Sequence, residues 1–146
     1  MPGFTNILVA TDFGKPAACA VQLAASLAEA FGAKLTLLFV FSLPPTMGLM
    51  GGPFPIEQLQ DRARKALDVE TARLAQRVPT ATGVIRAGSP WEEILQEANE
   101  LGADLIVLGT HGRRGLPRAL IGSVAERVLR MASIPVLTVA AAEGEP

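Results

Sequence analysis

The sequence has few of the residues that cross-link small proteins, bind metals or anchor them to membranes. Its 146 residues contain one Cys, one His, one Trp and no Tyr. A single Cys excludes an internal disulfide and a zinc site built from several cysteines, and it is typical of a reducing compartment. No unbroken apolar run exceeds that of Leu37 to Phe41, far short of the ~20 residues that a membrane helix needs. No cationic stretch precedes an apolar run near the start, so we expect no secretory signal and a soluble, cytoplasmic protein.

Charge of either sign is also scarce. Thirteen Lys and Arg residues against 14 Asp and Glu residues give a net charge of −1, so we expect no broad nucleic-acid binding, which needs a basic face. An apolar content of 49% with 18% charged residues excludes intrinsic disorder. The length predicts one domain over residues 1–146, with an irregular loop over 42–55 and a flexible tail over 141–146.

Apolar runs and helical patterns alternate along the chain. Four of the five runs are nearly continuous in apolar residues, which is typical of strands covered on both faces. The alternation predicts an open, doubly wound, five-stranded parallel sheet with helices on both faces. The shorter and more polar Gly83–Arg86 belongs nearer an edge. The predicted strands are Ile7–Ala10, Leu35–Phe41, Gly83–Arg86, Leu105–Leu108 and Pro135–Val139.

Local patterns predict the helix faces and ends. In the first helix the apolar residues recur at Ala20, Leu23, Leu27 and Phe31, with a stop at Gly32. Capping boxes, in which a Ser side chain and a Glu side chain bind each other's backbone amides, are predicted at Ser89 to Glu92 and at Ser123 to Glu126. We expect Trp91 to pack between helices and not to stack on a base, and Cys19 to pack within the first helix.

The segment 42–55 interrupts this alternation. Half of its residues are Pro or Gly and none is charged, so it cannot form regular structure. Loops of this length in compact domains are either mobile or functional. A flexible surface loop and a lid or partner-contacting loop both remain open, the second because apolar loop residues favour a surface to lie on.

Glycines and basic residues follow the fourth predicted strand. Gly109, Gly112 and Gly115 permit positive φ and close approach of a ligand. The ionisable residues between Gly109 and Ala125 are His111 and three arginines, at 113, 114 and 118. The segment ends at a predicted helix N-terminus, where free N–H groups favour an anion. This combination predicts a phosphate cradle; a solvated loop with an ordinary cap is the alternative.

The same residues carry a family resemblance. Gly109-x2-Gly112-x9-Gly122-Ser123 resembles the ATP-binding motif Gly-x2-Gly-x9-Gly-[Ser/Thr] of the universal stress protein family, and the opening from Ile7 to Asp12 is similar to that family too. The resemblance covers essentially the whole chain. It implies the strand order 3-2-1-4-5, which brings the ends of strands one and four side by side at one crevice.

The resemblance also implies roles for individual residues. It implies a nucleoside end lined by Ala10, Thr11 and Asp12, with Val40 against adenine. Asp12 would also help to hold a Mg ion bound to the nucleotide, although an Asx turn at a strand end is the simpler alternative. Gly14 stands where the family often has Ser. The remaining implied contacts are Leu108 and Gly109 with the ribose, and Gly112, Gly122, Ser123, Val124 and Ala125 with the phosphates.

The function that this resemblance implies is an ATP-binding regulatory or stress-response module. A weak ATPase or autophosphorylating phosphotransferase is one alternative, and a dimeric interaction module without nucleotide is another. His111 has no partner identifiable from sequence, so we assign no catalytic residue and expect no dedicated catalyst. The last strand, Ile134–Val139, lacks charge and is predicted at an edge, which favours pairing with a second chain. The resemblance likewise implies a homodimer through this strand.

Overall fold

The computed structural model describes residues 3–42, 56–110 and 121–140, in which five strands and four helices alternate. Neighbouring strands are all parallel and lie in the order β3-β2-β1-β4-β5. The predicted sheet and strand order are therefore confirmed. Most of loop 42–55 and the whole tail 141–146 lie outside the described residues. The elements are β1 (Asn6–Ala10), α1 (Lys15–Phe31), β2 (Lys34–Phe41), α2 (Ile56–Ala75), β3 (Thr82–Ala87), α3 (Pro90–Leu101), β4 (Leu105–Gly109), α4 (Ser123–Met131) and β5 (Val136–Val139).

Two apolar cores lie on opposite faces of the sheet. Helices α1 and α2 cover one face, where Ile7, Val9 and Leu67 are buried. Helices α3 and α4 cover the other face, where Leu8 and Val128 are buried. Successive strand residues point to opposite faces, so the central strands are apolar at nearly every position. No helix in the described ranges is both long and apolar enough to cross a membrane.

Helix α1 packs on the sheet mainly through its small residues. The predicted face is confirmed for Ala20, which is buried, and for Leu27, which packs against the core, but it is wrong for the other two residues. Leu23 and Phe31 are 37% and 49% exposed, and Phe31 makes an edge contact with Phe4 at 5.5 Å. Alanine side chains let the helix axis approach the central strands closely, so the larger residues are displaced to its flank. The helix ends at Gly32 with φ of 66°, as predicted. Its buried residues are Ala17, Ala20, Val21, Ala24, Ala25 and Ala28.

Both predicted capping boxes are wrong in detail. Ser89 is the N-cap of α3, but its side chain makes no capping hydrogen bond. Helix α4 starts one residue earlier than expected, with Gly122 as N-cap and Ser123 as its first residue. The Gly122 N–H is donated to the carbonyl of Thr110, which holds Gly122 extended and moves the cap back to it. The Glu126 carboxylate pairs instead with Arg130 at 2.7 Å.

Asp104 ties the chain together at the amino edge of the sheet. Its carboxylate accepts hydrogen bonds from the Thr5 N–H and hydroxyl, both at 2.8 Å, and from the Asn6 N–H at 3.1 Å. Partial burial alone would raise the pKa of Asp104, but these hydrogen bonds outweigh it and the net effect lowers the pKa. The amino edge is thus held by a residue far from the opposite, carboxyl edge, where the candidate site lies.

Candidate functional site

A cleft of about 900 Å³ opens at the carboxyl ends of the strands. The strand order reverses between β1 and β4, which is where open α/β sheets bind ligands. Ten of the eleven site residues predicted from the sequence line this cleft, and the eleventh, Gly112, lies outside the described residues. The ten are Ala10, Thr11, Asp12, Val40, Leu108, Gly109, Gly122, Ser123, Val124 and Ala125.

The lining also includes residues that the sequence argument missed. Pro90 and Ile94 of α3 form part of the wall, together with Ser42 at the end of β2. Because β2 and β3 are parallel to β1, the segments that follow them reach the same edge of the sheet. The strand order alone would have indicated these segments, whereas the residue chemistry of the sequence favoured the segments after strands one and four. Ala17, Thr110, Ile121 and Glu126 complete the described lining.

Two side chains shape the turn between β1 and α1. The Thr11 hydroxyl accepts the Phe13 N–H at 2.9 Å, and Asp12 Oδ1 accepts the Gly14 N–H at 2.8 Å. These bonds hold Phe13 in the left-handed region with φ of 64°, which a bulky residue rarely adopts. The Asx turn considered as the alternative for Asp12 is thus present. It occupies Oδ1, and no described residue is hydrogen-bonded to Oδ2.

Gly109 was predicted to permit positive φ, but in the structure it permits the close approach of helix α1. It lies in β4 opposite Val139 and does not have positive φ. A Cβ atom at this position would lie 2.8 Å from the carbonyl carbon of Pro16 and 2.9 Å from its oxygen. Glycine is needed here because the first turn of α1 crosses the strand at close range. The residue thereby sets where α1 begins relative to the cleft.

The start of α4 presents backbone donors to the cleft. The Glu126 N–H makes the first helical hydrogen bond, to the Gly122 carbonyl at 3.0 Å. The N–H groups of Ser123, Val124 and Ala125 precede that bond, and no side chain of the described residues caps them. Unpaired amides at a helix N-terminus, together with the helix dipole, favour an anion.

The backbone of β2 presents a donor and an acceptor near the other end. Leu38 accepts the Thr11 N–H at 2.9 Å, and the Lys34 N–H is donated to Thr5. Alternate residues of a parallel strand face the same neighbour, so the N–H and C=O of Val40 also face the β1 side. Strand β1 ends at Ala10, which leaves this peptide edge beside the cleft, next to the apolar side chain of Ile94.

Electrostatics in the described lining come from few side chains. Asp12 and Glu126 are its ionisable residues, so among the described groups it is the amides of α4 that attract an anion. The basic residues predicted for the cradle, His111 and the arginines at 113, 114 and 118, lie outside the described residues. Within the described ranges no group of three or more His, Cys, Asp and Glu residues could hold a metal ion.

Comparisons with known proteins agree on one family. A sequence model of the universal stress protein family matches residues 3–140. Universal stress protein MJ0531 of Methanocaldococcus jannaschii is 35% identical over 141 residues, 93% of this chain and 82% of its own. A solved universal stress protein in complex with cAMP is 25% identical with a TM-score of 0.72, over 97% of this chain and 100% of its own. A universal stress protein from Archaeoglobus fulgidus in complex with dAMP is 25% identical with a TM-score of 0.67, over 92% of this chain and 97% of its own.

Proposed function

Because the chain belongs to the universal stress protein family, we propose that it binds ATP in this cleft and acts as a nucleotide-responsive regulatory module. The observation that carries the proposal is the difference between the two ends of the cleft. One end has the amides of Ser123 to Ala125, which have no partner among the described residues, and the other has an apolar wall and the open peptide edge of Val40. A molecule with an anionic end and a flat, polar-edged apolar end matches both.

The base end favours adenine. The Val40 N–H can donate to the N1 atom of adenine while the Val40 carbonyl accepts from its amino group. The rings would lie between Ala10 and the α3 residues Pro90 and Ile94, which line this wall. Two structural relatives are described as complexes with cAMP and dAMP, both of which carry adenine.

The phosphate end favours a chain of phosphates. Hydrogen bonds from backbone amides to charged oxygens are stronger than bonds between neutral groups, and three such donors lie in the first turn of α4. We propose that Asp12 also contacts a Mg ion carried by the phosphates, because its Oδ2 has no partner among the described residues. The ion would neutralise charge between that carboxylate and the nucleotide.

We also propose a homodimer that forms through the free edge of β5. Strand β5 is hydrogen-bonded to β4 alone in the described sheet. The Ile106 N–H is donated to Pro135, and the Thr110 N–H to Val139. Alternate residues face the same neighbour, so the N–H and C=O of Val136 and Thr138 point away from β4. An uncharged edge with free donors and acceptors is a template for another strand.

Exposed leucines lie on both sides of that edge. On α1, Gln22 and Ser26 contact Arg77 on the α2 side, so Leu23, on the opposite flank, faces β5. On α4, Arg127 faces α3, and Leu129 lies about 200° around the helix from it. Leu23 and Leu129 are 37% and 43% exposed. Their apolar surface would be covered if two copies paired through β5.

Two measurements test the nucleotide proposal. The purified protein is denatured and the released nucleotide identified; ATP supports the proposal, while ADP favours slow hydrolysis. Calorimetric titration with ATP, ADP, AMP and cAMP then ranks the ligands, and we expect ATP in the presence of Mg to bind most tightly. If no adenine nucleotide binds at millimolar concentration, the interaction module without nucleotide replaces this proposal. We also propose that the protein is cytoplasmic, because its single cysteine, Cys19, is free and unpaired cysteines are typical of a reducing compartment.

A further inference from the structure

A cation–π contact joins the two helices that wall the cleft. The Cζ atom of Arg127 in α4 lies 5.1 Å from the centroid of the Trp91 ring in α3. Trp91 is half-buried and packs on the same core as Ile94 and Val124. Arg127 is exposed and forms no ion pair with any described residue, although Glu126 precedes it. The ring is therefore its one described partner.

Both residues of the contact are next in sequence to residues that line the cleft. Trp91 follows Pro90 and precedes Ile94, and both of these line the α3 wall. Arg127 directly follows Glu126 in α4, whose first turn lines the α4 wall. The two side chains themselves are not part of the described lining. They link the α3 wall to the α4 wall without occupying ligand space.

We propose that Trp91 and Arg127 are positioning residues that set the spacing between these walls for a nucleotide. The inference rests on the proposed function, since the base would contact α3 and the phosphates would contact α4. A ligand that touches both walls needs one defined separation. Freeing the helices to adopt other separations lowers the fraction of molecules that can bind, and the apparent affinity falls by that fraction.

A ligand that touches one wall alone does not sense this spacing. Adenosine lacks the phosphates that would reach α4, and tripolyphosphate lacks the base that would reach α3. Loss of the contact should therefore weaken ATP binding and leave both fragments unaffected. If Arg127 acted instead through its charge on the phosphates, its loss would weaken the binding of tripolyphosphate as well as that of ATP. Both losses would then be larger at low salt.

The experiment is calorimetric titration of ATP, adenosine and tripolyphosphate into Arg127→Met, Trp91→Leu, Trp91→Phe and the Arg127→Met/Trp91→Leu double variant. We expect Arg127→Met to weaken ATP binding about two- to five-fold, the range of an exposed cation–π contact. Trp91→Phe should retain most of the affinity because a phenyl ring keeps the π face. The double variant should be no weaker than the weaker single variant. Arg73→Met is the control: it removes the same charge from α2 and should leave the affinity for all three ligands unchanged.

Three results overturn the inference. They are unchanged ATP affinity in Arg127→Met, an equal loss for ATP and tripolyphosphate, and full additivity in the double variant. If Trp91→Leu fails to fold, Arg127→Met carries the test alone, because an exposed side chain is removed. If the unaltered protein binds none of the three ligands, the proposed function itself has failed, which is a different outcome from these three.

Discussion

Replacing Gly109 with Ala tests how closely the fold and the cleft depend on each other. The new methyl carbon would lie 2.8 to 3.0 Å from the carbonyl carbon, oxygen and Cβ of Pro16. The obstacle is largely backbone, and β4 is held between β1 and β5, so neither side can yield without moving an element. Overpacking of this kind lowers the free energy of unfolding by about 1–3 kcal/mol.

The same displacement should reach the ligand site. Pro16 lies in the first turn of α1, Ala17 lines the cleft, and Asp12 precedes the helix by three residues. A shift of α1 away from β4 moves this wall from the position that fits a ligand. We expect ATP affinity to fall about tenfold, equivalent to about 1.4 kcal/mol, in addition to the loss of stability.

Urea denaturation and calorimetric titration on one preparation separate the two effects. Gly102→Ala is the matched control. Its Cβ meets open space, but its φ of 67° is strained for alanine, which should lower the free energy of unfolding by about 1 kcal/mol. It lies at the end of α3, away from the cleft, so ATP affinity should not change. If Gly109→Ala is as stable as the unaltered protein, or binds ATP equally well, the reasoning about this close approach is refuted.

Four further changes have defined outcomes. Thr71→Val should stabilise the protein by about 1 kcal/mol in urea denaturation, because the buried Thr71 hydroxyl has no hydrogen-bond partner in the described part of the chain and such burial is costly; Thr71→Ser, which keeps the hydroxyl, should not stabilise it. The lowered pKa of Asp104 means that its contribution to stability is present above the ordinary Asp pKa and is lost as pH falls through the lower, folded value. Asp104→Asn should therefore be less stable than the unaltered protein at pH 7, and this difference in stability should shrink below about pH 4; a difference that stays constant down to pH 2 would contradict this. Gly122→Val should weaken ATP binding about 100-fold by displacing two charged hydrogen bonds of about 1.5 kcal/mol each. Its backbone angles, φ of −67° and ψ of 156°, suit any residue, so the variant should keep a folded circular dichroism spectrum, although Gly122 is buried and the added side chain should lower the thermal stability; native affinity in a folded variant would show that phosphates do not approach there. Thr138→Pro should give a monomer by light scattering with an unchanged circular dichroism spectrum, since its N–H faces away from β4; a persistent dimer would assign the interface to another surface.

The sheet was predictable because its central strands are buried on both faces. Leu8 and Val9 point to opposite cores, and both are fully buried, so a run of apolar residues carries the signal directly. The α1 face was mispredicted at Leu23 and Phe31, which are exposed, because hydrophobic periodicity gives most weight to large residues. Close packing over β4, made possible at Gly109, favours the alanine face instead. That preference depends on a contact between segments far apart in sequence.

The candidate site was predictable in its residues more than in its geometry. A Ser followed by Glu three residues later is typical of a cap, yet the bond from Gly122 to Thr110 decides where α4 begins. Asp12 could be singled out because it follows β1, but its Asx turn depends on the local backbone. The contact between Trp91 and Arg127 joins two helices whose relative placement no local pattern determines.

The most direct test of the central claim is a titration of isotopically labelled protein with MgATP, followed by the backbone amide resonances in nuclear magnetic resonance spectra. The amides of Val40, Ser123, Val124 and Ala125 should show the largest shifts, because they are the donors assigned to adenine and phosphate. Those of Thr5 and Asn6, bound to Asp104 at the opposite edge of the sheet, should remain unchanged. Saturable binding that leaves the α4 amides unshifted would contradict the account.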